Sequence, residues 1–399
     1  MSIETRDRRR QLPRTVWALG CVSLCMDISS KIIHSLLPVF LVSVLGASMQ
    51  TLGLIEGVAE ATAMMVRVFS GALSDRLGRR KLLAVCGYGL GALSKPLFAL
   101  APGVGMVFSA RFIDRIGKGI RGAPRDALIA DVTPPEQRGA AYGLRQSLDS
   151  VGAFAGPLLA VLLMFASGDN FRLIFWLAFL PGLLAVTILL LGVRDARGVS
   201  NRRGWPLQRA QLARLGRGYW LVLLVGAVFT LARFSEAFLL MRGSDLGLSA
   251  ALVPLVMVVM NSTYMLSAYP AGKLSDHLGR NGLLICGMLV LACADLVLAL
   301  ATSPAWVFAG AALWGLHLGL TQGLLSTLVA DAATPELRGT AFGLFGLVSG
   351  LALLGASLLA GGLWQSGGAS LTFHFGALLA LCALVFFLCL KKLPCGGAA

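Results

Sequence analysis

The chain has 399 residues, of which 57% are hydrophobic and only 13% charged, with a net charge of +15 at pH 7 and a mean hydropathy of +0.79. Soluble domains are about one-quarter charged, so this composition excludes the soluble classes and points to a membrane protein. In a soluble chain the positive excess would suggest nucleic acid; here it is distributed as a topology signal, and no nucleic-acid partner is expected.

Residues 1–14 are basic, and the apolar run that follows is too long for a signal-peptide core and lacks a small-residue cleavage site. About 20 mostly apolar residues cross a bilayer. Twelve such spans are expected: 16–44, 50–70, 82–101, 104–124, 140–166, 171–192, 219–241, 249–271, 282–302, 304–328, 339–364 and 370–390. Span 1 contains CMDISSKIIHSLLPVFLV, in which Asp27, Lys31 and His34 share one helical stripe at i,i+4 and i,i+3 spacing. Ionisable groups inside a membrane are expensive and by default mark a functional path. Span 2 adds Glu56 and Glu60, span 4 adds Arg111 and Asp114, and span 5 adds Arg145 and Asp149. At the helical rise per residue, Asp27, Glu60 and Asp114 lie about 15–16 Å into their spans, near the midplane. Such a concentration of acids must face protein rather than lipid.

The chemistry this allows is proton coupling. A carboxylate that alternates between water and an occluded, low-dielectric site takes up a proton in one state and releases it in the other. Asp27 and Glu60 lead as carriers, with Glu56 and Asp114 beside them and Arg111 or Lys31 as the modulating cation. Static ion pairing is the competing reading. It is preferred for Arg145–Asp149, and for Asp27–Lys31 both readings stand, since each pair is spaced i,i+4.

The eight cysteines show no CxxC and no metal-ligand pattern and read as buried apolar residues. No metal, cofactor or catalytic residue is expected, and the chain is not read as an enzyme. Of the 34 basic residues, 26 fall at the N-terminus, in alternate loops beginning with the one after span 2 or at the adjoining end of span 4, or at the C-terminal end. The positive-inside rule then places both termini in the cytoplasm. Trp17 and Trp220 sit near inner span ends, and Trp176, Trp306 and Trp364 near outer ends, as interfacial anchors.

GALSDRLGRRKLL at 71–83 returns as GKLSDHLGRNGLL at 272–284, and ALIADVTPPEQRGAAYGL at 127–144 returns as TLVADAATPELRGTAFGL at 327–344. Two loops repeating at offsets of 201 and 200 indicate a duplicated six-span unit. An even number of crossings makes the repeats parallel, related by an axis along the membrane normal. The expected domains are an N-terminal bundle, 1–192, a basic linker, 193–218, and a C-terminal bundle, 219–399.

The first of these loops resembles the signature of the major facilitator superfamily between helices 2 and 3, and the second its weaker echo. RFIDRIG at 111–117 is similar to the family's helix 4 signature, with Asp114 and Arg115 replacing the commoner Gln and Gly. GAFAGPLLA at 152–160 resembles the helix 5 signature of proton-driven antiporters without its final glycines. The resemblance implies an all-α, twelve-helix membrane fold of two parallel six-helix repeats. It implies gating by Gly71, Asp75, Arg76, Gly78, Arg79 and Arg80 and by Gly272, Asp276, Gly279 and Arg280. It also implies a cavity lined by helices 1, 4, 7 and 10, with Lys31, His34, Arg111, Arg233, Glu236, Trp314, His317 and Gln322, and with Asn261 and Tyr264 from helix 8. Gly152 and Gly156 form a GxxxG packing face, and Pro157 bends helix 5.

The resulting reading is a secondary transporter in a bacterial cytoplasmic membrane that exports small organic molecules, drugs or metabolites, in exchange for protons. Its expected partners are a small-molecule substrate, protons and membrane lipid, and it is read as a monomer. Proton-coupled uptake of a metabolite or a metal chelate such as a siderophore is the alternative. A non-transporting receptor ranks third, since the longest loop is a linker-scale segment. With no Walker sequence, energy comes from a gradient.

Overall fold

The computed structural model describes residues 12–193, 212, 214–278, 280–334 and 337–392, and these are helical almost throughout, with no strand among them. In chain order the helices are α1 (Arg14–Val39, ending in a π turn, Phe40–Val44), α2 (Met49–Leu77), α3 (Arg80–Leu100), α4 (Val104–Val132) and α5 (Arg138–Ser167). Then come α6 (Phe171–Leu177 and Phe179–Gly192), α7 (Arg217–Leu231 and Ala237–Asp245), α8 (Pro254–Leu278), α9 (Arg280–Ala299) and α10 (Pro304–Asp331). The helical run Arg338–Lys392 is two arms, α11 and α12, meeting at Gly368, whose φ of 76° and ψ of −178° are non-helical. That conformation is open to glycine and strained for other residues.

Seven of the described helices are long and apolar enough to cross a membrane, counting the α11–α12 run once. Helices α2, α4, α7 and α8 fall outside that set. In α4 the reason is its charge, yet RFIDRIGKGIRGAPRDALIAD is helical throughout, so α4 extends to Val132 instead of ending near 124. Helix α7, expected as one span over 219–241, is broken. Ala232 and Arg233 close the first segment with i→i+3 bonds to Phe229 and Thr230, and the Ser235 hydroxyl accepts from the Ala237 amide to open the second. No Pro or Gly lies at this break.

The chain divides into two compact units. The first comprises Met1–Ile33, Val66–Leu159 and Asn170–Gly204. Its core joins Leu19, Val22 and Met26 of α1 to Tyr88 of α3, Leu128 and Ile129 of α4, and Leu189 of α6. Helices α3 and α4 nearly touch, because a Cβ at Gly87 would lie 2.7 Å from both the Gly117 oxygen and the Arg121 nitrogen. Helix α5 meets α1 in the same way. A Cβ at Gly152 would fall 2.9 Å from Asp27 Cβ, and one at Gly156 2.7 Å from Lys31 Cβ. Small residues admit such backbone approach where lipid supplies no hydrophobic drive between helices.

The second unit comprises His34–Met65, Ala160–Asp169 and Trp205–Ala399, so it draws on both repeats. Within it, the first half of α2 lies along α11. A Cβ at Gly57 would sit 3.0 Å from a Leu354 methyl, one at Gly350 3.2 Å from Met64 Cβ, and one at Gly361 2.6 Å from the Met49 oxygen. Tyr219 of α7 is fully buried and donates to the Ala341 oxygen of α11 at 2.8 Å.

Candidate functional site

Glu56 is wholly buried in α2, within the second unit. Its Oε2 lies 4.0 Å from His34 Nδ1 and accepts a 3.4 Å hydrogen bond from Ser235 Oγ in the α7 break. The unwound segment thus delivers a hydroxyl to an acid deep in a span. Irregular backbone at membrane depth is tolerated where it is buried in protein or lines a cavity. From the same break, Phe234 packs on Phe238, Trp314 and Phe373 with ring centroids 5.5–5.6 Å apart. Such T-shaped and tilted pairings suit the ring quadrupoles.

Of the residues assigned to a cavity from sequence, Trp314 is only 2% exposed, so in this structure it belongs to the aromatic cluster and offers little free surface. His317 is buried beneath Phe229, with the Thr321 hydroxyl 3.5 Å from its Nδ1. Asn261 is buried and donates to the Met257 oxygen of its own helix. Arg233 stacks on Phe229, its guanidinium 5.9 Å from the ring centre. Tyr264 and Glu236 are half-buried, and Gln322 is exposed. Trp364, expected as an outer anchor, packs on Phe238 and Phe373, whereas Trp17, Trp176, Trp220 and Trp306 are exposed.

The first unit holds a second polar centre. Asp114 Oδ1 accepts from Lys95 Nζ at 2.7 Å, and Oδ2 lies 3.5 Å from Arg115 Nε. Lys95 also donates to Ser30 Oγ at 3.1 Å. Lys95, Arg111, Asp114, Arg115 and Arg121 are all buried, and Arg121 stacks on Tyr88. Asp114 is thus firmly engaged as an ion-pair partner. Asp27 and Lys31 are half-buried. Asp27 lies within electrostatic reach of Asp149 on α5, and Arg145 pairs with Asp149 as the static reading expects. Glu60 is half-buried.

Where the described part of the 71–83 loop joins α3, Arg80 pairs with Asp131 of α4 and donates to the Ala127 oxygen. One turn along α4, Asp126 takes Arg67, Arg125 and Arg145 at 3.3, 3.1 and 3.7 Å. Gly78 has a φ of 61°, which only glycine adopts cheaply, and it turns the chain between α2 and α3. Gly71 packs toward Ala123, its Cβ position 3.4 Å away; Arg76 and Arg79 are exposed, and Gly272 is open to substitution. Gly279, the linker residues 194–211 and 213, and the side chains of Asp75, Asp276 and Arg280 lie outside the described residues.

Sequence reasoning missed Lys95, Asp126, Arg67, Ser235 and Phe234. It also missed Asp295, fully buried in α9. The ion pairs run between helices, and span counting carries no signal for them. Lys95 and Asp295 were visible only as lone charges in apolar runs.

The model of the Major Facilitator Superfamily matches residues 19–244 and 222–394. An MFS-type transporter of Methanocaldococcus jannaschii is 32% identical over 95% of each chain. Multidrug resistance protein MdtH of Yersinia pestis is 25% identical, covering 84% of this chain and 82% of its own. A solved POT family transporter, in complex with a thioalcohol-conjugated peptide, superposes with a TM-score of 0.80 at 15% identity, covering 95% of this chain and 96% of its own, and shares the fold. With twelve helices among the described residues and the family's model matching across residues 19–394, the chain belongs to the Major Facilitator Superfamily.

Proposed function

We propose that this transporter exports small organic molecules, drugs or metabolites, in exchange for protons. The bundles 1–192 and 219–399 would rock about linker 193–218 in a bacterial cytoplasmic membrane, with both termini inside and the chain acting as a monomer, without enzymatic chemistry. The observation that carries the proposal is Glu56, an acid with 0% exposure in a span, flanked by His34 and by the hydroxyl of a broken helix. A buried carboxylate binds a proton while dry and gives it up when water reaches it. Asp27 and Glu60, half-buried, are further carriers, and Asp114 takes part through its pair with Lys95. The likeness to a multidrug resistance protein supports export. Substrate contacts are assigned to Lys31 and Arg111 in the first unit and to His34, Arg233, Glu236, Asn261, Tyr264, Trp314, His317 and Gln322 in the second.

The test is a panel of fluorescent drugs in proteoliposomes with an imposed pH gradient, comparing wild type with Glu56→Gln, Asp27→Asn and Glu60→Gln. Gradient-driven movement is expected to vanish in Glu56→Gln while movement down the substrate's own gradient persists. Undiminished concentrative transport in all three variants would remove proton carriage from these residues, and movement in the same direction as the protons would replace export with uptake.

A further inference from the structure

The two repeats align at an offset of 200 through α3–α4 and α9–α10. Cys86, Gly87, Ala92, Val107, Phe108 and Gly119 return as Cys286, Gly287, Ala292, Val307, Phe308 and Gly319. On this register Lys95 corresponds to Asp295 and Asp114 to Trp314. The first repeat buries an ion pair at these two places. The second puts an acid where the cation stood and an indole where the acid stood.

Asp295 is 0% exposed, and neither carboxyl oxygen has a hydrogen-bond partner among the described residues. Its Oδ2 lies 2.7 Å from where a Cβ at Gly376 of α12 would be, and Phe234 of the α7 break comes within 2.8 Å of the same point. Side chains larger than glycine at 376 would collide with the acid, so the carboxyl fills the space that the glycine leaves. The described ionisable groups on the surrounding elements are committed elsewhere. Arg242 donates to the Leu298 and Ala301 oxygens at 3.0 and 2.9 Å and pairs with Asp245 at 2.6 Å. On α10, His317 sits by Thr321; on α12, His374 Nδ1 is 2.8 Å from the Ser370 oxygen; on α8, Lys273 stacks on Tyr269; and Arg233 stacks on Phe229. Glu236, at the α7 break, is an acid and supplies no countercharge. An isolated carboxylate in such a place is far costlier than the neutral acid.

We infer that Asp295 is a proton-binding site of the second repeat, a neutral carboxylic acid held between α9, α12 and the α7 break, which exchanges its proton when this seam parts. Its ligand is the proton itself. The assignment does not rest on the acids of the first repeat carrying the transport cycle.

Infrared spectroscopy of the full-length protein in lipid reads the protonation directly. In the wild-type-minus-Asp295→Asn difference spectrum at neutral pH, a protonated-carboxyl C=O band is expected in the wild type and lost in the variant. In D2O that band should shift down as the proton exchanges. A carboxylate signature in its place, or a C=O band that never shifts in D2O, overturns the proposal. Should Asp295→Asn fail to fold, wild-type protein answers alone. Dicyclohexylcarbodiimide adds across a protonated carboxyl, the acid proton going to nitrogen and its oxygen to the central carbon, before rearranging to a stable N-acylurea. Peptide mass mapping should then find that adduct on Asp295, fading as pH rises. Labelling that spares Asp295 at every pH overturns the proposal as well.

Discussion

Helices α3 and α4 and their counterparts α9 and α10 descend from one template and bury opposite chemistry. The first pair encloses Lys95 and Asp114 at 2.7 Å with Arg115 and Arg121 close by. The second encloses Trp314 in a ring of aromatics and leaves Asp295 without a countercharge among the described residues. A duplicated backbone therefore fixes where side chains converge, and each copy is free to place there an ion pair or an aromatic contact.

The largest way to break this comparison is to remove one partner from the first pair. Asp114→Asn leaves the buried Lys95 ammonium without the carboxylate that pairs with it, and should cost about 3–5 kcal/mol in thermal unfolding measured in micelles. Lys95→Met with Asp114→Leu should recover most of that loss. A mild effect of Asp114→Asn would mean the buried cations are satisfied by other means. Next, Phe234→Ala should cost about 3 kcal/mol by opening a cavity under Trp314 and Phe373. An unchanged midpoint would show that the aromatic cluster does not hold the α7 break. The repeat-related glycines sharpen the contrast at smaller scale. Gly87→Ala meets the backbone of α4 and should cost about 2 kcal/mol. Gly287→Ala meets side-chain atoms, Thr321 Cγ2 most closely and Leu320 Cβ at 3.4 Å, with no backbone among the nearest, and should cost about 1 kcal/mol. The smallest effect belongs to Arg67→Ala. Its pair with Asp126 is on a side chain 62% exposed, so unfolding should move by less than about 1 kcal/mol.

Much of the architecture was legible in the residues. Apolar runs of bilayer length and the two recurring loops place twelve helices and their duplication, because lipid demands long uninterrupted helices. The α7 break was not legible. LARFSEA carries no Pro or Gly, and the interruption is held by tertiary contacts of Phe234 and Ser235. The Arg145–Asp149 pair was legible because its partners lie one turn apart. Lys95–Asp114 was not, since its partners sit on neighbouring helices whose facing registers depend on glycine packing at Gly87 and Gly117. Asp295 could have been found by carrying the loop repeat into the helices, where it falls opposite Lys95.

The contact between α2 and α11 is built from glycines, methyl groups and main chain, through Gly57, Gly350, Leu354 and Gly361. The contacts of the 71–83 loop and the adjoining α4 segment are guanidinium–carboxylate pairs. Salt and pH therefore act unequally on the two. Raising ionic strength weakens the exposed ionic pairs and leaves the glycine seam untouched, so solution conditions become a dial on one contact while the other answers only to shape.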